Sequence, residues 1–425
     1  MLIALLFGTF AVALLIGAPV LVALGLASAA YLIGAGIDLA VVPQFMYAGM
    51  DSFVLLCIPG FVLAGNLMNG GGITDQIVRF GNALVGHIRG GLGLANVTGS
   101  MIFAGISGTA VAETASIGAV MIPAMRKSGY DAPFAAAVTA AASTVGPIIP
   151  PSVPMIIAGT LTGLSVGKMF LAGAVPGLLL GLGMMLTVYV IATKRGYPKG
   201  KWAGFGEILR SSRGAVWAIL MTVLILFGIV GGFFTPTEAS IVSALYALLV
   251  GLFIYKGITW RQVPGIIIES AIGSGALILL VGMANVFGWI LTSEQIPQAI
   301  ANAMLSVSTN KYVIILMINV LLLIVGTFME TIAALIILFP PLLAVATQVG
   351  INPIHFATFA VLNLMIGLTT PPVGVCLFVA GNIGQVSLAQ VSRAIWPFLV
   401  CNIIILMLVS YVPQVSLWLP GLFYK

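Results

Sequence analysis

The sequence is short of charge. Only 6% of its 425 residues are Asp, Glu, Lys or Arg, ten acidic and sixteen basic, where soluble chains carry about 25%. So little polar surface excludes a soluble globular protein of this length. Histidine occurs twice and cysteine three times; Cys57, Cys376 and Cys401 lie in apolar runs without C-x-x-C spacing. That speaks against a zinc site or a disulfide framework and for buried apolar thiols. No G-x-x-x-x-G-K-[ST] loop is present, so nucleotide hydrolysis by this chain is not expected. The longest polar stretch, about 194–213, is too short for a soluble domain. The net charge of +6 sits between apolar runs rather than on a polar face, which argues against nucleic acid as a partner.

What is present is hydrocarbon. Hydrophobic residues make up 61% of the chain, against about 45–50% in soluble proteins, and they fall in runs long enough to span a bilayer. The fold class read from this is an all-α polytopic membrane protein. Spans are expected near 2–18, 20–37, 52–68, 131–163, 169–193, 214–231, 236–255, 265–291, 352–385 and 394–412. No Lys or Arg precedes the first apolar run, so a spanning helix is expected there rather than a cleaved leader. Glycine, at 51 residues, suits close helix packing and interrupted helices. Two further apolar stretches, about 91–125 and 311–346, are interrupted near their middles by small and polar residues and are read as re-entrant hairpins.

Charge tests the hairpin reading. With the 194–213 linker in the cytoplasm, thirteen of the sixteen basic residues fall inside and only Lys168, Lys311 and Lys425 outside. This is a strong positive-inside bias, and it places both termini in the periplasm. A single full crossing at either interrupted stretch would swap the later loops and weaken it.

Each half then has five crossings and one hairpin, so the halves must be inverted repeats: 1–193 (hairpin about 91–125, broken helix about 131–163) and 214–425 (hairpin about 311–346, broken helix about 352–385). Glu113-Thr114 is followed ten residues after the Glu by Pro123, and Glu330-Thr331 likewise by Pro340. "GPIIPPSV" (146–153) matches "GLTTPPVG" (367–374), and Gly129 and Gly350 stand 17 residues before the two leading glycines. Inverted repeats with Gly/Pro-interrupted apolar segments at matching positions point to a secondary transporter, with its site at the interruptions.

A broken helix inside a membrane exposes backbone groups that protein, water or an ion must satisfy. Freed carbonyls and half-helix C-termini suit Na⁺; half-helix N-termini favour anions. One Na⁺ site is expected per half. The first uses the carbonyls of Ser107 and Gly146 with the Thr109 hydroxyl; the second uses the carbonyls of Gly326 and Gly367 with the hydroxyls of Thr369 and Thr370. Substrate is expected between the tips, near Ser107, Ser152, Glu113 and Glu330. A carboxylate repels an anion, so each Glu must bond substrate hydroxyls, carry a proton or pair with a cation. Other polar residues read as structural. His87 and His355 are expected in structural roles, Glu269 at an interface, and Glu238 in a helix start capped by Thr235 or Thr237. Gly177, Gly181 and Gly183 form a packing stripe.

A self-sufficient Na⁺- or H⁺-coupled organic-anion carrier would show the same repeats. An intramembrane hydrolase built on Ser107 is disfavoured, because neither His is placed beside a nucleophile. A passive channel fits two inverted hairpins less well than alternating access.

The motifs resemble the large membrane subunit (M) of the tripartite ATP-independent periplasmic (TRAP) transporters. The resemblance runs nearly end to end through "IPGFVLAGNLM" (58–68), "GGLGLANV" (90–97), "SGTAVAETASIGAVMIPAM" (107–125), "GPIIPPSVPM" (146–155), "FTPTEAS" (234–240), "GTFMETIAALIILFPPLL" (326–343) and "LNLMIGLTTPPVGVCLFVA" (362–380). It implies a multi-pass protein of the bacterial inner membrane, an elevator carrier whose transport domain slides against a scaffold domain on a Na⁺ gradient, with no organic cofactor. It also implies a periplasmic substrate-binding protein (P) and a small four-helix membrane subunit (Q), the latter expected as a separate polypeptide. The implied cargo is an organic acid anion, a sugar acid such as sialic acid or a C4-dicarboxylate. At the second hairpin this chain has Glu330 where members of the family can carry Asp.

Overall fold

A computed structural model describes residues 2–424, apart from the side chains at 15 and 105–107. It is all-helical; its only β feature among the described residues is one isolated bridge, Arg89 to Lys199. The chain opens with α1 (Leu2–Leu15), α2 (Val20–Ala35), α3 (Val41–Met50), α4 (Cys57–Gly70) and α5 (Ile73–Val85). A hairpin of α6 (Gly91–Ser107) and α7 (Ala110–Lys127) precedes a helix broken into α8 (Ala132–Ala142) and α9 (Val153–Thr162). The long α10 (Val166–Arg195) follows, then α11 (Gly204–Val230), α12 (Pro236–Leu249, continued by a π-helical turn) and α13 (Val263–Ser293). After α14 (Ile296–Val307) the pattern recurs. A hairpin of α15 (Lys311–Phe328) and α16 (Thr331–Gln348) leads to a helix broken into α17 (Pro353–Gly367) and α18 (Val375–Gly384). α19 (Leu388–Tyr411) and α20 (Gln414–Phe423) complete the chain.

Among the described residues, seven helices are long and apolar enough to cross a membrane: α10, α11, α12 with its π turn, α13, α15, α16 and α19. The arms α15 and α16 have 18 residues each, about 27 Å at the helical rise.

Six consecutive elements, α5 to α10, correspond in order to α14 to α19, and the packing between the sets is reciprocal. α7 packs on α18 while α16 packs on α9; α8 packs on α19 while α17 packs on α10; α10 and α19 pack on each other. Such exchange is the contact pattern of a two-fold repeat. The broken helices occupy its centre. Every residue from Phe134 to Ala142 in α8 and from His355 to Gly367 in α17 is buried, as expected of helices apolar all round. A second set, α1 to α4 with α12 and α13, packs mainly on itself through α4–α12, α13–α3 and α13–α4.

Several expected structural residues occupy such places. His355 is buried, with Nδ1 2.8 Å from Ser416 Oγ and Nε2 3.0 Å from the Ser410 carbonyl. Thr235 caps α12 in a capping box with Glu238, while Thr237 donates to the Phe53 carbonyl at 2.7 Å. Gly177, Gly181 and Gly183 let Ile149, Met101 and Ile405 close against α10.

Four short helices escape a search for long apolar runs: α3, α5, α14 and α20. In α5 and α14 apolar side chains form one stripe among polar ones, the amphipathic pattern of a helix lying beside a core. Residues 204–213, polar in sequence, are helical and form the start of α11, where Glu207 meets Arg79 of α5 at 2.6 Å.

Candidate functional site

In the first half, the hairpin tip and the broken helix meet at a carboxylate. α6 ends at Gly108, whose φ of 65° is left-handed; Thr109 then turns the chain in extended conformation at the N-cap of α7. Glu113 follows in the first turn of α7 and is fully buried. Neither of its carboxylate oxygens has a hydrogen-bond partner among the described residues, and neither ion pair found there involves it. A Cβ on Gly146 would collide with Glu113 Oε2, so the carboxylate lies directly on the backbone of the unwound segment. No backbone N–H among the described residues donates to the Gly146 carbonyl. Ser100 of α6 brings a further buried oxygen, its hydroxyl, up to this carboxylate.

Around this pocket the other polar groups are tied down. Thr114 donates to the Ala110 carbonyl (2.8 Å) or to the Ser143 hydroxyl (2.6 Å), and Ser143 donates to the Ala140 carbonyl (2.8 Å). The Cys376 thiol of α18 sits against Thr114 and Ser143, within electrostatic reach of both Glu113 and Glu330. Ser152 is buried as the N-cap of α9; its hydroxyl accepts from Met155 N at 3.2 Å and donates to the Pro147 carbonyl. One lone pair remains to it. Ser152→Ala is therefore expected to cost about 1 kcal/mol of stability through the lost cap, read as a lower midpoint in thermal unfolding.

The second half is built differently. α15 and α17 cross at Gly326 and Gly367, where a Cβ on Gly367 would lie 2.6 Å from the Gly326 Cα. The Gly367 carbonyl accepts from Thr370 N at 2.9 Å. Thr369 and Thr370 both donate to the Ile366 carbonyl at 2.9 Å, which leaves their hydroxyl lone pairs unspent. Glu330 is not buried like Glu113. It is exposed at the tip and N-caps α16, accepting from Ile332 N (2.8 Å) and Ala333 N (3.3 Å), both on Oε2.

Of the residues expected from sequence, the structure thus brings Glu113 to Gly146 and gathers Gly326, Gly367, Thr369 and Thr370. Thr109 sits at the tip and lines a cavity of about 310 Å³ with Asn69, Ser116 and Glu269. The Ser107 side chain lies outside the described residues. Ser143 and Cys376 went unread as site neighbours. Ser143 stands in a run of small residues and Cys376 in an apolar one, and only their position in space marks them. The two proline pairs occupy equivalent breaks, and both Pro150–Pro151 and Pro371–Pro372 are cis.

An unwound carbonyl, an unpaired carboxylate and a hydroxyl, all buried, form an oxygen set suited to a hard cation. Residues 7–415 match the family described as the tripartite ATP-independent periplasmic transporter, DctM component. The chain belongs to this family. Its similarity to curated TRAP permeases covers nearly the whole chain. It is 43% identical to the sialic acid TRAP transporter large permease protein SiaM of Vibrio cholerae, over 96% of each chain. It is 41% identical to the isethionate TRAP transporter permease protein DctMQ of Oleidesulfovibrio alaskensis, over 98% of this chain and 66% of that longer one. In fold it resembles the YdaH transporter of Alcanivorax borkumensis, with a TM-score of 0.62 at 15% identity, covering 91% of this chain and 88% of the other. Membership makes this a multi-pass permease of the inner membrane rather than an enzyme.

Proposed function

We propose that this chain is the cargo-carrying subunit of a Na⁺-driven uptake system for an organic acid anion. A periplasmic binding protein delivers the substrate, and a small membrane subunit completes the complex. The observation that carries the ion coupling is Glu113. A buried carboxylate without a countercharge is costly, and among the described residues no cationic side chain meets this one. Na⁺ bound between Glu113, the Gly146 carbonyl and the Ser107–Thr109 turn neutralises it. The second ion sits at Gly326, Gly367, Thr369 and Thr370. With the first ion absent, Glu113 repels the substrate carboxylate; with it present, that repulsion is removed. This gives Na⁺-dependent substrate affinity without a moving part. At the opposite tip Glu330 keeps Oε1 for a substrate hydroxyl, and Ser152 holds the shape of the wall between them.

An elevator motion fits the division of the helices. The core of hairpins and broken helices meets α3, α4 and α13 across two cavities. One of about 610 Å³ reaches from Asn285 and Trp289 to Thr160 and Pro340, and the other is the 310 Å³ cavity beside Thr109. The sugar acid and the sulfonate carried in the relatives' names stand at 43% and 41% identity. So small a difference leaves the choice of acid to assay.

Uptake into liposomes holding this chain and its small subunit tests the reading, with labelled organic acids and the binding protein outside. Accumulation is expected only with both the binding protein and an inward Na⁺ gradient. Accumulation on Na⁺ alone would make it a self-sufficient carrier, and accumulation on a pH gradient would transfer coupling to a proton on Glu113.

A further inference from the structure

Outside the transport site, the seam between α10 and α19 opens into a cavity of about 480 Å³ at the end where α10 stops and α19 begins. Its mouth carries three cations, Lys194, Arg195 and Arg393. Arg195 is already engaged, bonded to Asp131 at 2.9 Å and stacked 5.7 Å from the Phe134 ring. Lys194 and Arg393 are exposed and form no ion pair among the described residues. No acidic side chain lines the cavity there.

Behind the mouth the walls are apolar: Leu186, Val190 and Pro397. The groove continues along faces that no other helix covers. Leu178, Leu182 and Leu186 of α10 and Val400, Ile404 and Leu408 of α19 are all at least 40% exposed. In a chain that spans a bilayer, such stripes face acyl chains. Trp396, 56% exposed beside the mouth, is the aromatic side chain expected at headgroup depth.

We infer that this groove is a binding site for one anionic phospholipid. Its phosphate sits between Lys194 and Arg393, and an acyl chain lies along the α10–α19 seam. Charge selects the headgroup, because a zwitterionic lipid brings no net negative charge to two unpaired cations. Apolar length selects a lipid over free phosphate. The seam joins the last long helix of each repeat, so the lipid would staple the two halves together at their rim.

Native mass spectrometry of the full-length protein, titrated with phosphatidylglycerol or phosphatidylcholine, tests this. The wild type is expected to retain one phosphatidylglycerol more tightly than phosphatidylcholine. The double variant Lys194→Gln/Arg393→Gln should lose about thirtyfold in affinity for that lipid, about fivefold for each charge removed. Arg261→Gln, an exposed cation in the turn before α13, should lose none. Leu186→Trp, which fills the groove and keeps both cations, should also weaken retention. Equal retention of the two lipids by the wild type would overturn the proposal, as would a double variant that binds like wild type. Inorganic phosphate displacing the lipid at millimolar concentration, with Leu186→Trp unchanged, would show an anion site without an acyl groove.

Discussion

Glu113→Gln is expected to abolish Na⁺-driven accumulation while leaving the protein folded and in the membrane. Glutamine has nearly the same shape, so the packing against Gly146 survives; only the charge goes. If a cation completes the pocket, removing its buried countercharge costs about 3 kcal/mol or more, which is over a hundredfold in ion affinity. Substrate would then bind without its ion, and the Na⁺ gradient would no longer drive it. Glu330→Gln makes the comparison. That carboxylate caps α16 from an exposed position, and an amide oxygen can still accept the cap. Its expected loss is one of substrate affinity, with the Na⁺ dependence of uptake intact. Initial rates over a range of Na⁺ concentrations separate the two variants. A Glu113→Gln protein with the wild-type Na⁺ response would mean the carboxylate is neutral in the working protein.

Gly367→Ala is expected to be about as damaging by an unrelated route. Its Cβ would lie 2.6 Å from both the Gly326 Cα and its carbonyl carbon, contacts with backbone that no rotamer change relieves. α15 and α17 would have to part in the buried centre of the second half, and overpacking of this kind costs about 1–3 kcal/mol. The carbonyls proposed to hold the second ion would move with them. Gly326→Ala meets only the Gly367 Cα at 3.2 Å and Leu364 beyond it, which a small shift accommodates. The prediction is thus an asymmetry across one contact: little or no uptake in Gly367→Ala, and partial uptake in Gly326→Ala. Thermal unfolding should rank the two in the same order.

Helix breaks at 108–109, 143–152, 329–330 and 368–374 were legible in the sequence because glycine, proline and polar residues interrupt runs that are otherwise hydrocarbon. Membrane residence followed from how little charge there is. The short helices α5 and α14 were not legible as part of the frame: they lie beside the core instead of crossing, and a search for spans passes over them. The site was legible in part. Two Glu-Thr pairs at equal distance from a proline look equivalent in one dimension, yet Glu113 is buried and unpartnered while Glu330 caps its own helix. Sequence spacing fixes which turn a side chain stands on, and the neighbouring helix decides what that side chain meets. For Glu113 that neighbour is Gly146, 33 residues away; for Ser143 it is Thr114.

The most direct test of the account is equilibrium binding of radioactive Na⁺ to the purified full-length protein and to its Glu113→Gln variant, with choline as the balancing cation. The account predicts saturable binding in the wild type that unlabelled Na⁺ displaces, and fewer bound ions in the variant at the same concentration. Identical binding by the two proteins would contradict it, because the buried carboxylate would then hold no part of the ion.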